Sequence, residues 1–177
     1  MKRLVPLILM ALLVMTGTAA AQSRVELALG GGATVPTGDF GNAAKAGWHA
    51  LATVAIFPGT SVLGVQATGF YGQNTFKAGG GKWKLSGGVA ELRLEMRSKA
   101  AFKPFFMLGG GLVDYKAALT SGPSASNTKA ALDGGVGVAY NVGANGGLFL
   151  QGRYVIVFSP GSHLTFVPFT AGFQVSF

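Results

Sequence analysis

The chain has no cysteine, which excludes a disulfide framework and a thiolate metal site. It is also poor in charge, with Asp, Glu, Lys and Arg making up 11% of its residues against about 25% in a typical soluble domain. Histidine occurs only as His49 and His163. Beyond the first 21 residues no stretch is apolar and long enough to cross a membrane as a helix, which takes about 20 residues. Nucleotide-binding signatures are missing too. Gly79-Gly80-Gly81-Lys82 is followed by Trp83 where a phosphate loop requires Ser or Thr, and Phe76 stands at the first glycine position.

What remains is apolar and rich in glycine. Hydrophobic residues are 49% of the chain, and 29 of its 177 residues are glycine, where average usage of about 7% would give roughly twelve. Such a chain, without a helical span, has to satisfy its backbone polar groups by another route. In lipid that route is a closed β-barrel, in which every strand is paired and no edge is left.

Residues 1–21 read as a secretory signal. Lys2 and Arg3 form a basic start, Leu4 to Met15 is apolar apart from Pro6, and Ala19-Ala20-Ala21 supplies a cleavage site before Gln22. The expected organisation is a signal peptide, 1–21, followed by one barrel domain, 22–177.

The mature part alternates with period two, the repeat of a strand. Val167, Phe169, Ala171, Phe173, Val175 and Phe177 share one face, opposite Pro168, Thr170, Gly172, Gln174 and Ser176. Ala90, Leu92, Leu94 and Met96 alternate with Glu91, Arg93 and Glu95. An Arg on lipid near the bilayer midplane costs about 2–4 kcal/mol, so these charges are expected to point inward. The same reasoning gives a polar lumen cluster of Glu26, Glu91, Arg93, Glu95, Asp133 and Arg153.

Strands are expected near 23–34, 47–57, 62–73, 84–97, 103–115, 130–141, 147–158 and 164–177. Connections after the second, fourth and sixth are short: Pro58 to Ser61, Ser98 to Phe102, and Val142 to Gly146. Those after the first, third and fifth are longer: Pro36 to Ala46, Asn74 to Trp83, and Lys116 to Lys129. The last, Ser159 to His163, is short. Short periplasmic turns alternating with longer external loops, an even strand number and periplasmic termini are the habits of outer-membrane barrels. The predicted fold is all-β: a closed antiparallel eight-stranded transmembrane barrel, an up-and-down meander. A barrel of eight strands is just wide enough for side chains to fill, so lumen glycines are expected to leave small polar gaps rather than a pore. Trp48, Tyr71, Trp83 and Tyr115 fall where an outer aromatic girdle would lie, and Phe105, Tyr140 and Phe177 where an inner one would.

The segment Leu29 to Gly41 (LGGGATVPTGDFG), the signal peptide and the terminal Ala171-Gly-Phe-Gln-Val-Ser-Phe177 resemble the outer-membrane β-barrel superfamily, which includes the OmpX-like, OmpA-barrel and opacity-like proteins. The resemblance implies Gram-negative-type export to the outer membrane. It also implies that Phe173, Val175 and Phe177 form the signal read by the outer-membrane assembly machinery. It does not supply an activity, because members of one fold differ widely in function.

Candidate chemistry is sparse. His49 shares a face with Thr53 but has no second ligand nearby. His163 and Thr165 are spaced like the catalytic His and Ser of lipid-modifying barrels, although Thr stands in place of Ser. Glu91, Arg93 and Glu95 read as a salt-bridged plug or as a gate. Lys45, Lys77, Lys82, Lys84, Lys116 and Lys129 fall in or beside the longer loops, a collar able to meet the phosphates of lipopolysaccharide. Aromatics among them are too few for nucleic-acid stacking, and Ser121 to Thr128 is small and polar, as in a mobile loop. The net charge of +8 suits anionic partners. The sequence therefore reads as a non-enzymatic, monomeric envelope barrel, without cofactor, that has a structural or surface-presenting role. Its partners are outer-membrane lipids, lipopolysaccharide and the assembly machinery. The alternatives are a narrow channel for small or apolar solutes and a lipid-modifying barrel enzyme.

Overall fold

A computed structural model describes residues 23–96, 101–119, 125–143, 145–159 and 162–177. The expected signal peptide lies outside the described residues, as do most of the turn after the fourth strand and residues 121–124 of the polar loop.

Period-two patterning becomes eight strands: β1 (Arg24–Thr37), β2 (Gly47–Phe57), β3 (Leu63–Thr75), β4 (Gly81–Glu95), β5 (Phe102–Leu119), β6 (Ala125–Val142), β7 (Gly146–Ser159) and β8 (Ser162–Ser176). Each pairs antiparallel with its neighbour in sequence, and β1 pairs with β8 to close a barrel. The closing register runs from Glu26 opposite Ser176 to Thr37 opposite Thr165. Phe177 and Val25 lengthen this seam with reciprocal backbone bonds of 2.8 and 3.1 Å. No edge strand is left, as the composition requires. The end carrying the start of β1 and the finish of β8 is the lower end here, and the other the upper.

The outward face carries the apolar residues. Leu92, Leu94, Leu108, Leu112, Leu132, Leu150 and Phe173 are all exposed, with Leu108 and Phe173 at 70%. Inside lie the polar ones, with Glu91, Arg93 and Glu95 each buried. This is the inverse of a soluble domain. Tight coiling explains inward glycines on β5. A Cβ on Gly109 or Gly111 would come within about 2.0 Å of the carbonyl oxygens of Ala90 and Gly88 on β4.

Three features depart from the sequence reading. The upper ends of the strands run further than expected, to Leu119 in β5 and from Ala125 in β6. Lys82, Lys116 and Lys129 therefore stand on strands rather than in loops, and Lys84, expected at the start of the fourth strand, lies within it. In the extensions of β5 and β6 polar and small residues occur on both faces, so the alternation loses contrast while the backbone ladder continues. Second, the β1–β2 connection contains a one-and-a-half-turn helix, α1 (Gly38–Ala43), too short to show a helical period. Gly38 enters it at a φ of 55°, and the buried Phe40 fixes it over the upper mouth. Third, the upper lumen is apolar. Phe40, Leu85, Val113, Val155, Val157 and Phe166 form a core, with Trp83 and Tyr115 packed against it. Trp83 and Tyr115 thus leave the expected girdle for the interior. Phe105 does the same at the lower end, in a cluster with Met107 and Ala139.

Candidate functional site: the layered lumen and the upper rim

The lumen is built in three layers because the inward face of each strand changes character along its length. On β4 that face reads Trp83, Leu85, Gly87, Val89, Glu91, Arg93 and Glu95. It is apolar above and charged below.

The lowest layer joins β1 to β4. Arg93 bonds Glu95 at 2.8 Å and approaches Glu26 at 3.3 Å. Arg24 lies 3.1 Å from Glu26 and also pairs with Glu95. Aromatic rings flank these guanidinium groups, Phe57 at 4.2 Å from Arg24 and Phe105 at 4.2 Å from Arg93. Such stacking suits Arg, whose planar, weakly hydrated cation attracts a ring face.

The middle layer is centred on Arg153 of β7. It reaches Glu91 of β4 at 2.8 Å and Asp133 of β6 at 2.7 Å. The other Glu91 oxygen accepts bonds from Gln66 and Thr68, both at 2.9 Å. Thr53 extends the network to Thr68 at 3.0 Å. Near this layer His49 is held from both sides, Nδ1 by Thr34 at 3.0 Å and Nε2 by Thr170 at 2.8 Å. His49 is therefore a structural strut between β1, β2 and β8, and among the described residues no group of acids and histidines is arranged to hold a metal.

The six acids and arginines expected in the lumen thus lie together there, in two networks. The sequence reading missed Arg24, Gln66, Thr68, Thr34 and Thr170 as partners; Arg24 and Thr34 share the inward face of Glu26, whereas Gln66 and Thr68 stand on β3, which carries no inward charge to mark its phase. It also missed Phe40, for which the short α1 gave no periodic signal.

The upper layer is the apolar core under α1. Phe40 meets Trp83 edge-on with centroids 5.9 Å apart and Phe166 at 6.4 Å. Trp83 meets Phe76 at 5.2 Å. Among the described residues, cavities of about 20 and 10 Å³ lie between the layers, each with room for about one water.

Outside, Phe173, Val175 and Phe177 project from the lower end of β8. His163 stacks edge-on against Phe158 with centroids 5.6 Å apart. The hydroxyl of Thr165 donates to the Thr37 carbonyl at 3.0 Å and accepts from the Thr37 hydroxyl at 3.0 Å. The structure thus engages Thr165 with Thr37, not with His163. The six lysines are at the upper end but do not form a ring. Lys84 and Lys116 face each other across β4 and β5. Lys45 bonds the Thr75 carbonyl through its backbone at 2.8 Å, and Lys77 bonds that of Ala43 at 2.9 Å. Lys129 falls on the inward side of β6, opposite Val113.

Among solved structures, the chain is similar to Neisserial surface protein A, with a TM-score of 0.69 and 19% identity over 87% of this chain and 97% of that one. It is similar also to the attachment invasion locus protein Ail of Yersinia pestis, solved in complex with the heparin analogue sucrose octasulfate. There the TM-score is 0.64 and the identity 17%, over 88% of this chain and 99% of that one. The N-terminal β-barrel domain of Pseudomonas aeruginosa OprF matches with a TM-score of 0.55 and 12% identity, over 88% and 98%. The fold is that of the small outer-membrane barrels. No protein-family model and no curated protein matches the chain.

Proposed function

We propose that the chain is an exported, integral outer-membrane barrel whose lumen is sealed, with a structural or surface-presenting role in the envelope. The observation that carries this reading is the layered lumen: two ion-pair networks below and an aromatic core above, with α1 closing the mouth. A pathway for solutes needs continuous space. Cavities the size of single waters give no support to the channel alternative. The lipid-modifying alternative has no support from His163 and Thr165, whose partners are Phe158 and Thr37.

In this reading residues 1–21 are removed on export and both termini face the periplasm. The outward apolar band contacts lipid, the terminal Phe173, Val175 and Phe177 serve assembly, and the barrel works as a monomer without cofactor. Trp48 and Tyr71, stacked on the outer surface at 5.8 Å, mark the outer interface, as aromatic girdles do. Tyr140 with Phe102 at 4.8 Å marks the inner one.

The absence of cysteine makes the topology directly testable. Ser61→Cys in the β2–β3 turn and Lys77→Cys at the β3–β4 tip are exposed to a membrane-impermeant maleimide on intact cells. Labelling of the Lys77 variant alone is expected. Labelling of the Ser61 variant alone would reverse the orientation, and labelling of neither would remove the surface role.

A further inference from the structure

Arg93 of β4 engages the lower layer through two of its guanidinium nitrogens and leaves the other aside. Nη2 bonds Glu95 at 2.8 Å and Nη1 approaches Glu26 at 3.3 Å, while the ring of Phe105 holds the guanidinium at 4.2 Å. Nε is buried and has no acceptor among the described residues. An N–H of a cation taken out of water without an acceptor is costly, so its retention calls for a partner of another kind.

Arg93 also lines the smaller lumen cavity, of about 10 Å³, together with Thr53, Gln66, Gln151 and Gln174. All of these side chains are buried, and each comes from a different strand, β2, β3, β4, β7 or β8. The space suits about one water, which takes roughly two to four polar partners. Gln66 directs its Nε2 to Glu91 at 2.9 Å and to the Met107 sulfur at 3.7 Å. The group it can offer the cavity is therefore its carbonyl oxygen, an acceptor. A donor of the lower layer thus shares one small cavity with an acceptor tied to the middle layer.

The surrounding ions fix the charge of the guest. In the lower layer Arg24 and Arg93 are balanced by Glu26 and Glu95, so an anion on Arg93 Nε would add an uncompensated buried charge. The guanidinium itself repels a cation. What fits is neutral, water-sized, and able both to accept and to donate.

We propose that one ordered water sits in this cavity, accepts from Arg93 Nε and donates to Gln66 Oε1, and so joins the lower and middle ion-pair layers into a single network. A bridging water is nearly as good as a direct hydrogen bond. The polar plug then runs without interruption from Arg24 at the lower mouth to Arg153 at mid-barrel, and the two layers stand or loosen together.

The test uses the full mature barrel with isotope-labelled arginine, folded in phosphatidylcholine nanodiscs. Magnetisation transfer from water to the arginine Nε protons is recorded by NMR, and the Arg93 resonance is identified by its loss in Arg93→Lys. Arg93 is expected to show the cross-peak of a held water. Arg153, whose Nε bonds Asp133 directly at 3.1 Å, is expected to show none. Ala28→Val, which fills the cavity from β1, and Gln174→Leu, which removes a polar wall, are each expected to insert normally by gel mobility and to reduce the Arg93 cross-peak at least about fivefold. Gln66→Leu is expected to reduce it as well, and its persistence there would overturn the link to the middle layer. No cross-peak in the wild type, equal cross-peaks at Arg93 and Arg153, or a cross-peak untouched by both cavity variants would overturn the site. A shift of the Arg93 Nε resonance on exchanging chloride for gluconate would overturn the neutral guest. Conductance is read separately, so failure of the water site and failure of the sealed lumen are told apart.

Discussion

Arg153 and Glu91 are 62 residues apart in sequence, yet their side chains meet at 2.8 Å in the middle of the lumen. Arg153 stands on β7 and Glu91 on β4, strands that share no hydrogen bonds, so the pair ties the barrel across its interior. Asp133 on β6 completes the bridge through paired bonds of 3.1 and 3.2 Å to the Arg153 Nε. Removing the cation leaves two buried carboxylates without their partner.

Arg153→Ala is therefore expected to lower unfolding stability by about 3–5 kcal/mol, the usual cost of breaking a buried pair from one side. Urea titration of barrels folded in vesicles measures it. Arg153→Ala combined with Glu91→Gln is expected to cost less than the sum of the two single changes, since the second removes a charge the first stranded. Additive losses would show that the two residues do not act as a pair.

Phe40 is the only buried side chain of α1 and closes the aromatic core above Trp83. Phe40→Ala is expected to free α1 while leaving the strand ladder intact. In a Trp48→Phe background, Trp83 emission is expected to shift to the red and hydrogen exchange to accelerate over residues 38–43. Unchanged emission would mean that α1 is not what shields Trp83.

Ala90 faces outward at mid-height, opposite Ala67 on β3 and Gly110 on β5. In a bilayer Ala90→Arg is expected to cost about 2–4 kcal/mol by urea unfolding from vesicles. A surface substitution on a water-facing barrel stays within about 0.5 kcal/mol, and that result would place this face outside the membrane.

The strands were legible where their two faces met different surroundings. Glu91, Arg93 and Glu95 could lie only on one side of an apolar alternation, and the C-terminal strand repeats the contrast without charge. Legibility faded in the upper strands, where Lys116 to Leu119 and Ala125 to Lys129 mix polar and small residues on both faces. Trp83, Tyr115 and Phe105 were misread because an aromatic near a strand end suits either a girdle or the lumen. Only the phase of the alternation separates these: Trp83 shares its parity with the inward Glu91, Arg93 and Glu95. The six lysines were legible as a group but not in their arrangement: which of them are neighbours depends on cross-strand register, and register is a tertiary property.

The sealed lumen is tested most directly by single-channel conductance of the mature barrel in planar bilayers, with insertion verified independently by gel mobility and protease protection. Two ion-pair layers beneath an aromatic core predict a silent bilayer for the wild type. They also predict silence for Glu91→Gln, because the apolar core above stays closed. Discrete conductance steps in the wild type, altered by substitution at Glu91 or Arg93, would contradict the seal and make the lumen a pathway.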